Sequence, residues 1–182
     1  MPSSRIGLPQ DAMGFFEFRV RVKCPVATAF AVYTDTDAWQ RCTVVTGVEW
    51  MGNPWEEGSR MRVKSEGVVP ITSDQVLLHF EPPSRIAHMS HFLGITFETR
   101  LTFLAASDRE TQIHFRGEFV GAGSRTFGFA LGPAIERGTR DFMEGLNREC
   151  ERVAALQPQP NRPAESSAEE DSAGGRGAVG KP

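Results

Sequence analysis

The feature that most constrains this chain is one long amphipathic segment, from Pro133 to about Leu156, closing a stretch patterned almost entirely as strands. Gly132-Pro133 predicts a helix start there, because proline's missing N–H costs nothing at the first helical position. Ile135, Phe142, Leu146, Cys150 and Val153 then recur at helical spacing, flanked by Thr139 and Met143. The opposite face carries Glu136, Arg137, Arg140, Asp141, Glu144, Arg148 and Arg152, with Glu136/Arg140 and Glu144/Arg148 spaced as i,i+4 pairs. A helix this long needs an apolar surface to lie on, and the chain before it offers only a sheet. The expectation is a sheet curved around the helix, with a gap between them that can hold a ligand.

Phe16 to Lys23 alternates apolar against charged, the pattern of a half-buried strand, and Cys24-Pro25 ends it. Val26 to Tyr33 is predicted as a short helix. Asp35-Thr36-Asp37 is a turn or N-cap before a second one, Ala38 to Arg41. The period then returns to two. Val44, Thr46, Val48 and Trp50 form one expected inward set, and Glu57 to Ser65 follows with Met61 and Val63 inward. Val68 to Phe80 holds one or two strands interrupted near Pro70. Arg85 to Leu93, Ile95 to Leu104 and Thr111 to Val120 complete the series, with a bend at Gly94 and a hairpin loop at Ser107 to Glu110. Short turns between successive strands favour an antiparallel meander. The predicted class is α+β: a curved antiparallel sheet of six to seven strands wrapped on a C-terminal helix, with two short helices after the first strand. Residues 1–13 are expected as a loose leader, 14–156 as the domain, and 157–182, rich in Pro, Ser, Ala, Gly and charge, as a disordered tail.

At 182 residues, 40% hydrophobic and 24% charged, the chain is long enough for one domain with a real core. A net charge of −3 without a basic run argues against nucleic-acid binding. Cys24, Cys42 and Cys150 form no CxxC pair and are expected as reduced thiols of a cytoplasmic protein. The first residues lack the continuous apolar run of a signal peptide, and no stretch is apolar enough to span a membrane.

The order strand, two short helices, meander and long helix resembles the START-like, helix-grip superfamily, which includes the polyketide cyclase/dehydrase and lipid-transport proteins. The resemblance covers roughly residues 15 to 156. It rests on the first strand ending in Cys24-Pro25, the helix Val26 to Tyr33, and the segment Tyr33-Thr-Asp35-Thr-Asp-Ala-Trp39. It rests also on Trp55-Glu-Glu-Gly58-Ser-Arg-Met61, on Phe80-Glu-Pro-Pro83-Ser-Arg-Ile86, and on the closing helix with Gly132-Pro133 and Glu151. The resemblance implies a hydrophobic cavity for a lipid-like, aromatic or polyketide-like ligand. Fold alone does not fix activity.

Few residues offer chemistry. His88-x-x-His91 is the one close histidine pair, and three residues apart on a strand places the two on opposite faces, so no metal site is expected. Gly121-x-Gly123 followed by Gly128 fits no phosphate loop, so no cofactor is expected. Asp35 and Asp37 are better explained as capping and turn residues than as a catalytic carboxylate pair.

The cavity lining is richer. Alternation places Phe16, Phe18, Val20, Trp50, Met61, Val63, Phe97, Leu101, Phe103, Phe115 and Phe119 on the face towards the helix. Phe127, Leu131, Ile135, Phe142 and Leu146 come from the helix side. Plain core packing is the simpler explanation for most of these. Thirteen phenylalanines against one tyrosine supply apolar area with few polar handles. Gly138 and Gly145 either widen the gap or let the helix approach its neighbours closely. Among polar residues, Tyr33, Asp74, His88, Ser90, His91 and Thr99 are the candidates. Asp74 shares parity with Val76, Leu78 and Phe80, and His88 and Ser90 share it with Ile86 and Phe92. His91 then points outward unless a bulge at Gly94 switches the register.

Three functions follow. The first is binding of a hydrophobic or aromatic small molecule between sheet and helix. The second, implied by the resemblance, is a cyclase/dehydratase enzyme with His88, Asp74 or Tyr33 as acid/base groups. The third is a protein-interaction module of the same fold.

Overall fold

The computed structural model describes residues 14–66, 70–121 and 124–157, leaving the side chains of 124–129 undescribed. The expected leader and nearly all of the expected tail lie outside these residues. The chain runs β1 (Phe15–Val22), α1 (Val26–Tyr33), α2 (Thr36–Cys42), β2 (Val45–Met51), β3 (Arg60–Glu66), β4 (Pro70–Glu81), β5 (Arg85–Phe92), β6 (Ile95–Ser107), β7 (Glu110–Val120) and α3 (Ser124–Leu156). The strands form one antiparallel seven-stranded sheet in the order β1-β7-β6-β5-β4-β3-β2. This is the predicted α+β class. Consecutive strands from β2 to β7 pair as hairpins, whereas β1 pairs with β7, so α1 and α2 carry the chain from one edge of the sheet to the other.

Local chemistry sets the boundaries. Asp35 caps α2 by accepting from the Asp37 backbone N–H at 2.9 Å. Leu93 (φ 50°) and Gly94 (φ 75°) form the two-residue turn between β5 and β6, joining the paired residues Phe92 and Ile95. Two successive positive φ values suit the right-handed twist of a hairpin. The turn is therefore no bulge, and His91 stays on the outer face, exposed.

α3 begins at Ser124 and continues through Pro133, rather than starting there. A proline inside a helix forfeits one backbone hydrogen bond. Leu131 and Ile135, on either side of it, both pack against the core, and these contacts hold the helix continuous. Glu136 and Arg140 form the expected pair at 2.7 Å. Met143, Leu146 and Cys150 are sealed at 1% exposure or less, and with Phe103, Ile113 and Tyr33 they make the centre of the core. Gly145 faces α2, where a Cβ would overlap the Cys42 carbonyl oxygen, while Gly138 faces open space. Close approach explains the first glycine. Neither widens the interior.

Two bulges alter the expected faces. A register shift between Val45 and Gly47 puts Val45 inward and leaves Val44 and Thr46 exposed, so the set read as Val44-Thr46-Val48-Trp50 breaks in two. A second shift, between Leu77 and His79 on β4, sends Ser73, Gln75 and Leu77 inward and then Phe80 inward again. Parity counted back from Phe80 across that extra residue is reversed, which places Asp74 outside.

Candidate functional site

The strand registers define rows of side chains across the inner face, the one covered by α3. One row reads Phe119, Phe97, Ser90, Gln75, Met61 and Trp50. The next reads Phe16, Gly117, Thr99, His88 and Leu77. A third reads Phe18, Phe115, Leu101, Ile86 and Phe80. Polar residues thus gather where β4, β5 and β6 meet, inside an otherwise apolar surface. Gly117 belongs to this design, since a Cβ there would collide with the Phe97 ring that lies over it.

Aromatic rings wall the two sides. Towards β1, Phe18 and Phe115 stack with centroids 4.8 Å apart, and Phe97 meets Phe119 at 5.0 Å and Phe16 at 5.5 Å. Arg140 of α3 covers Phe18 from above at 4.1 Å, a cation–π contact that closes this edge. Towards β2, Trp55 meets Trp50 at 5.1 Å, Phe80 at 5.5 Å and Trp39 at 6.1 Å. Trp55 holds a left-handed backbone (φ 61°), which an aromatic residue adopts only where its surroundings enforce it. The loop bearing it is tied to β4 by Gly58 N–H donating to the Leu77 carbonyl at 2.8 Å and Leu77 N–H donating to the Ser59 carbonyl at 2.9 Å.

His88 and Gln75 are the unusual members of the lining. The His88 ring is only partly covered, yet its Nδ1 is buried without a hydrogen-bond partner, as is Gln75 Oε1. The Gln75 amide nitrogen donates to Ser73 Oγ at 3.1 Å. Burial disfavours the imidazolium and lowers the His88 pKa to about 4. At neutral pH His88 is therefore an uncharged imidazole carrying one N–H and one lone pair.

The expected site residues separate into groups. Phe18, Met61, Val63, Ser90, Phe97, Leu101 and Phe115 are buried on the inner face, and Trp50 and His88 half-buried there. Leu131, Ile135 and Phe142 of α3 are half-buried, Phe142 meeting Trp39 at 5.5 Å. Leu146 is sealed in the core. The Phe127 side chain lies outside those described. Tyr33 does not face the polar row. It is 2% exposed, its hydroxyl donates to Asn147 Oδ1 at 3.0 Å, and burial raises its pKa well above the usual phenol value. Asp74 is a correction: it is exposed on the outer face and paired with Arg62 at 2.8 Å, a bond that lowers its pKa. It cannot act on a ligand held under α3. Gln75 and Trp55 are not among the site residues read from sequence. The β4 bulge hid the first by reversing parity, and the second sits in a turn where alternation gives no signal.

Two hollows of about 420 and 330 Å³ open on the outer side of β3, β4 and β5, sharing Asp74 and His91. Two of their polar groups are already partnered, Asp74 by Arg62 and His91 Nδ1 by Thr96 Oγ1 at 3.1 Å. Of the buried side-chain atoms without a hydrogen-bond partner among the described residues, Gln75 Oε1 and His88 Nδ1 belong to the inner face, whereas His114 Nε2, which lies 2.7 Å from Glu17 Oε1, and Arg116 Nε belong to the outer face of β7. Among the described residues, no group of three His, Cys, Asp or Glu could hold a metal ion, and no helix is long and apolar enough to cross a membrane.

A sheet wrapped against one long C-terminal helix, with two short helices in the first crossover, is the helix-grip architecture. The chain belongs to the family described as polyketide cyclase / dehydrase and lipid transport, whose profile matches residues 13–155. Solved structures share the fold at low identity. The Zhui aromatase/cyclase from Streptomyces sp. R1128 is similar at 16% identity and a TM-score of 0.65, over 76% of this chain and 93% of that one. The hypothetical protein jhp0584 from Helicobacter pylori is similar at 12% identity and a TM-score of 0.64, over 82% and 97%. The di-domain ARO/CYC StfQ from the steffimycin biosynthetic pathway is similar at 15% identity and a TM-score of 0.63, over 76% of this chain and 45% of that one. No curated protein matches the chain significantly.

Proposed function

We propose that this protein binds an apolar or aromatic small molecule between the inner face of the sheet and α3, with the ligand's polar group at the patch formed by Gln75, Ser90, His88 and Thr99 on two neighbouring rows. The observation that carries the reading is two buried, unpartnered atoms of the inner face, His88 Nδ1 and Gln75 Oε1, in a lining built mostly from aromatic and aliphatic side chains. A buried polar atom left without a partner destabilises a fold by about 1–3 kcal/mol. A ligand that supplies the partner removes that penalty on binding, and the apolar walls add area. Family membership and the aromatase/cyclase neighbours support a ligand of this kind.

His88 also bears on the choice between binding and catalysis. Acid/base chemistry at neutral pH favours a group whose pKa lies near the working pH. A pKa of about 4 leaves His88 a weak base and an almost unpopulated acid. Tyr33 is held by Asn147 and Asp74 lies outside, so no second ionisable candidate from the sequence converges on the row. These features favour a carrier over a cyclase. The test is native mass spectrometry of the purified protein, together with melting shifts against a panel of lipids and polyphenols. A co-purified ligand or a clear rise in Tm is expected. Neither one appearing would defeat the binding reading.

A further inference from the structure

The two orphaned atoms also constrain which ligand fits, an inference that rests on the binding reading above. Ser90 stands directly opposite Gln75, and Leu77 directly opposite His88. Gln75 and His88 are therefore diagonal neighbours on adjacent strands and the same face, about 7–8 Å apart at Cα and closer at their side chains. At that spacing one ligand could meet both side chains. The Gln75 nitrogen is engaged by Ser73, so the atom facing the interior is a carbonyl oxygen, which only accepts. His88, uncharged, offers a lone pair or an N–H but no charge. This pair asks for neutral hydroxyls at two edges of a ring. It does not match an acid, which would find no cation there, nor a ketone or ether, which cannot donate to Gln75.

We infer that Gln75 and His88 act together as a specificity device that selects aromatic ligands bearing free hydroxyl groups over the corresponding ethers and ketones.

The experiment compares naphthalene, 2,7-dihydroxynaphthalene and 2,7-dimethoxynaphthalene by calorimetry and by quenching of tryptophan fluorescence, on the full chain and on the Gln75→Leu and His88→Leu variants. The diol is expected to bind about tenfold or more tightly than its dimethyl ether, the size of one hydrogen bond left unmade at a buried group. Each substitution should bring that ratio close to one. Melting curves establish that the variants are folded. If naphthalene binds but the ratio is near one, or persists in Gln75→Leu, the inference is overturned and the binding reading stands. If neither naphthalene nor the diol binds, the binding reading fails with it.

Discussion

Two regions of the inner face differ in how they treat buried polar groups. Where α1, α2 and the second half of α3 meet, those with a role are partnered. The Tyr33 hydroxyl meets Asn147, the Trp39 indole N–H donates to the Tyr33 carbonyl at 3.0 Å, and Thr111 Oγ1 donates to the Cys24 carbonyl at 2.8 Å. Even the buried Glu149 is paired with Arg152 at 2.7 Å and Arg41 at 3.4 Å, and the Arg152 hydrogen bond lowers its pKa. Where β4 and β5 meet, Gln75 Oε1 and His88 Nδ1 have no partner and their side chains are incompletely covered. The first region is satisfied without a ligand. The second is not. Substitutions in the first should therefore be felt as stability, and in the second as binding and pH response.

The largest stability effect should come from Leu146→Ala, which empties a fully sealed position. About 3 kcal/mol of destabilisation is expected, within the range for such cavities. That lowers Tm by roughly 10 °C for a domain of this size. A loss under 1 kcal/mol in denaturant titration would mean that the helix is not gripped here. His88→Leu comes next and depends on pH. The folded pKa of about 4 lies below the unfolded value of 6.5, so the unfolded chain binds the proton more readily. Above pH 6.5 both states are neutral and the group contributes nothing. Stability falls as pH drops from 6.5 to 4, by about 3 kcal/mol in total, and the loss is complete below 4. The variant should lack this portion of the acid-induced loss. Identical stability–pH curves for the two proteins would show that His88 is not buried neutral.

Tyr33→Phe removes the hydroxyl and strands Asn147 Oδ1, for about 1–2 kcal/mol. Affinity for an apolar ligand should stay as it was. A binding defect at unchanged stability would move Tyr33 from the satisfied region to the open one. The smallest effect, about 0.5 kcal/mol or less, is expected for Glu136→Gln, an exposed pairing with Arg140 on α3. Urea melts with and without salt would reveal a larger one.

What the sequence makes legible follows from where period two is kept. On β1, β3, β6 and β7 alternation runs unbroken through the residues that face α3, and Phe18, Met61, Val63, Phe97, Leu101 and Phe115 fall where it puts them. On β2 and β4 one extra residue reverses the faces. Thr46 was placed inward and lies outside, while Asp74 was exchanged for its neighbour Gln75. A bulge leaves no composition signal in either strand, so one error falls on the edge strand β2 and the other on β4, which carries Gln75. The start of α3 was misplaced for a different reason: Pro133 is a sound start signal locally, and tertiary packing on both sides of it prevails. His88 and Ser90 were legible because β5 has no such interruption.

The strand order also bears on recognition. The core joins distant parts of the chain: β1 pairs with β7, and Lys23 N–H reaches Glu151. The Gln75–His88 wall is instead a hairpin of sequence neighbours, β4 and β5, joined at the Glu81–Ser84 corner. On the reading proposed above, the residues that choose the ligand would thus be sequence neighbours within one short segment, set apart from the long-range pairing that closes the sheet.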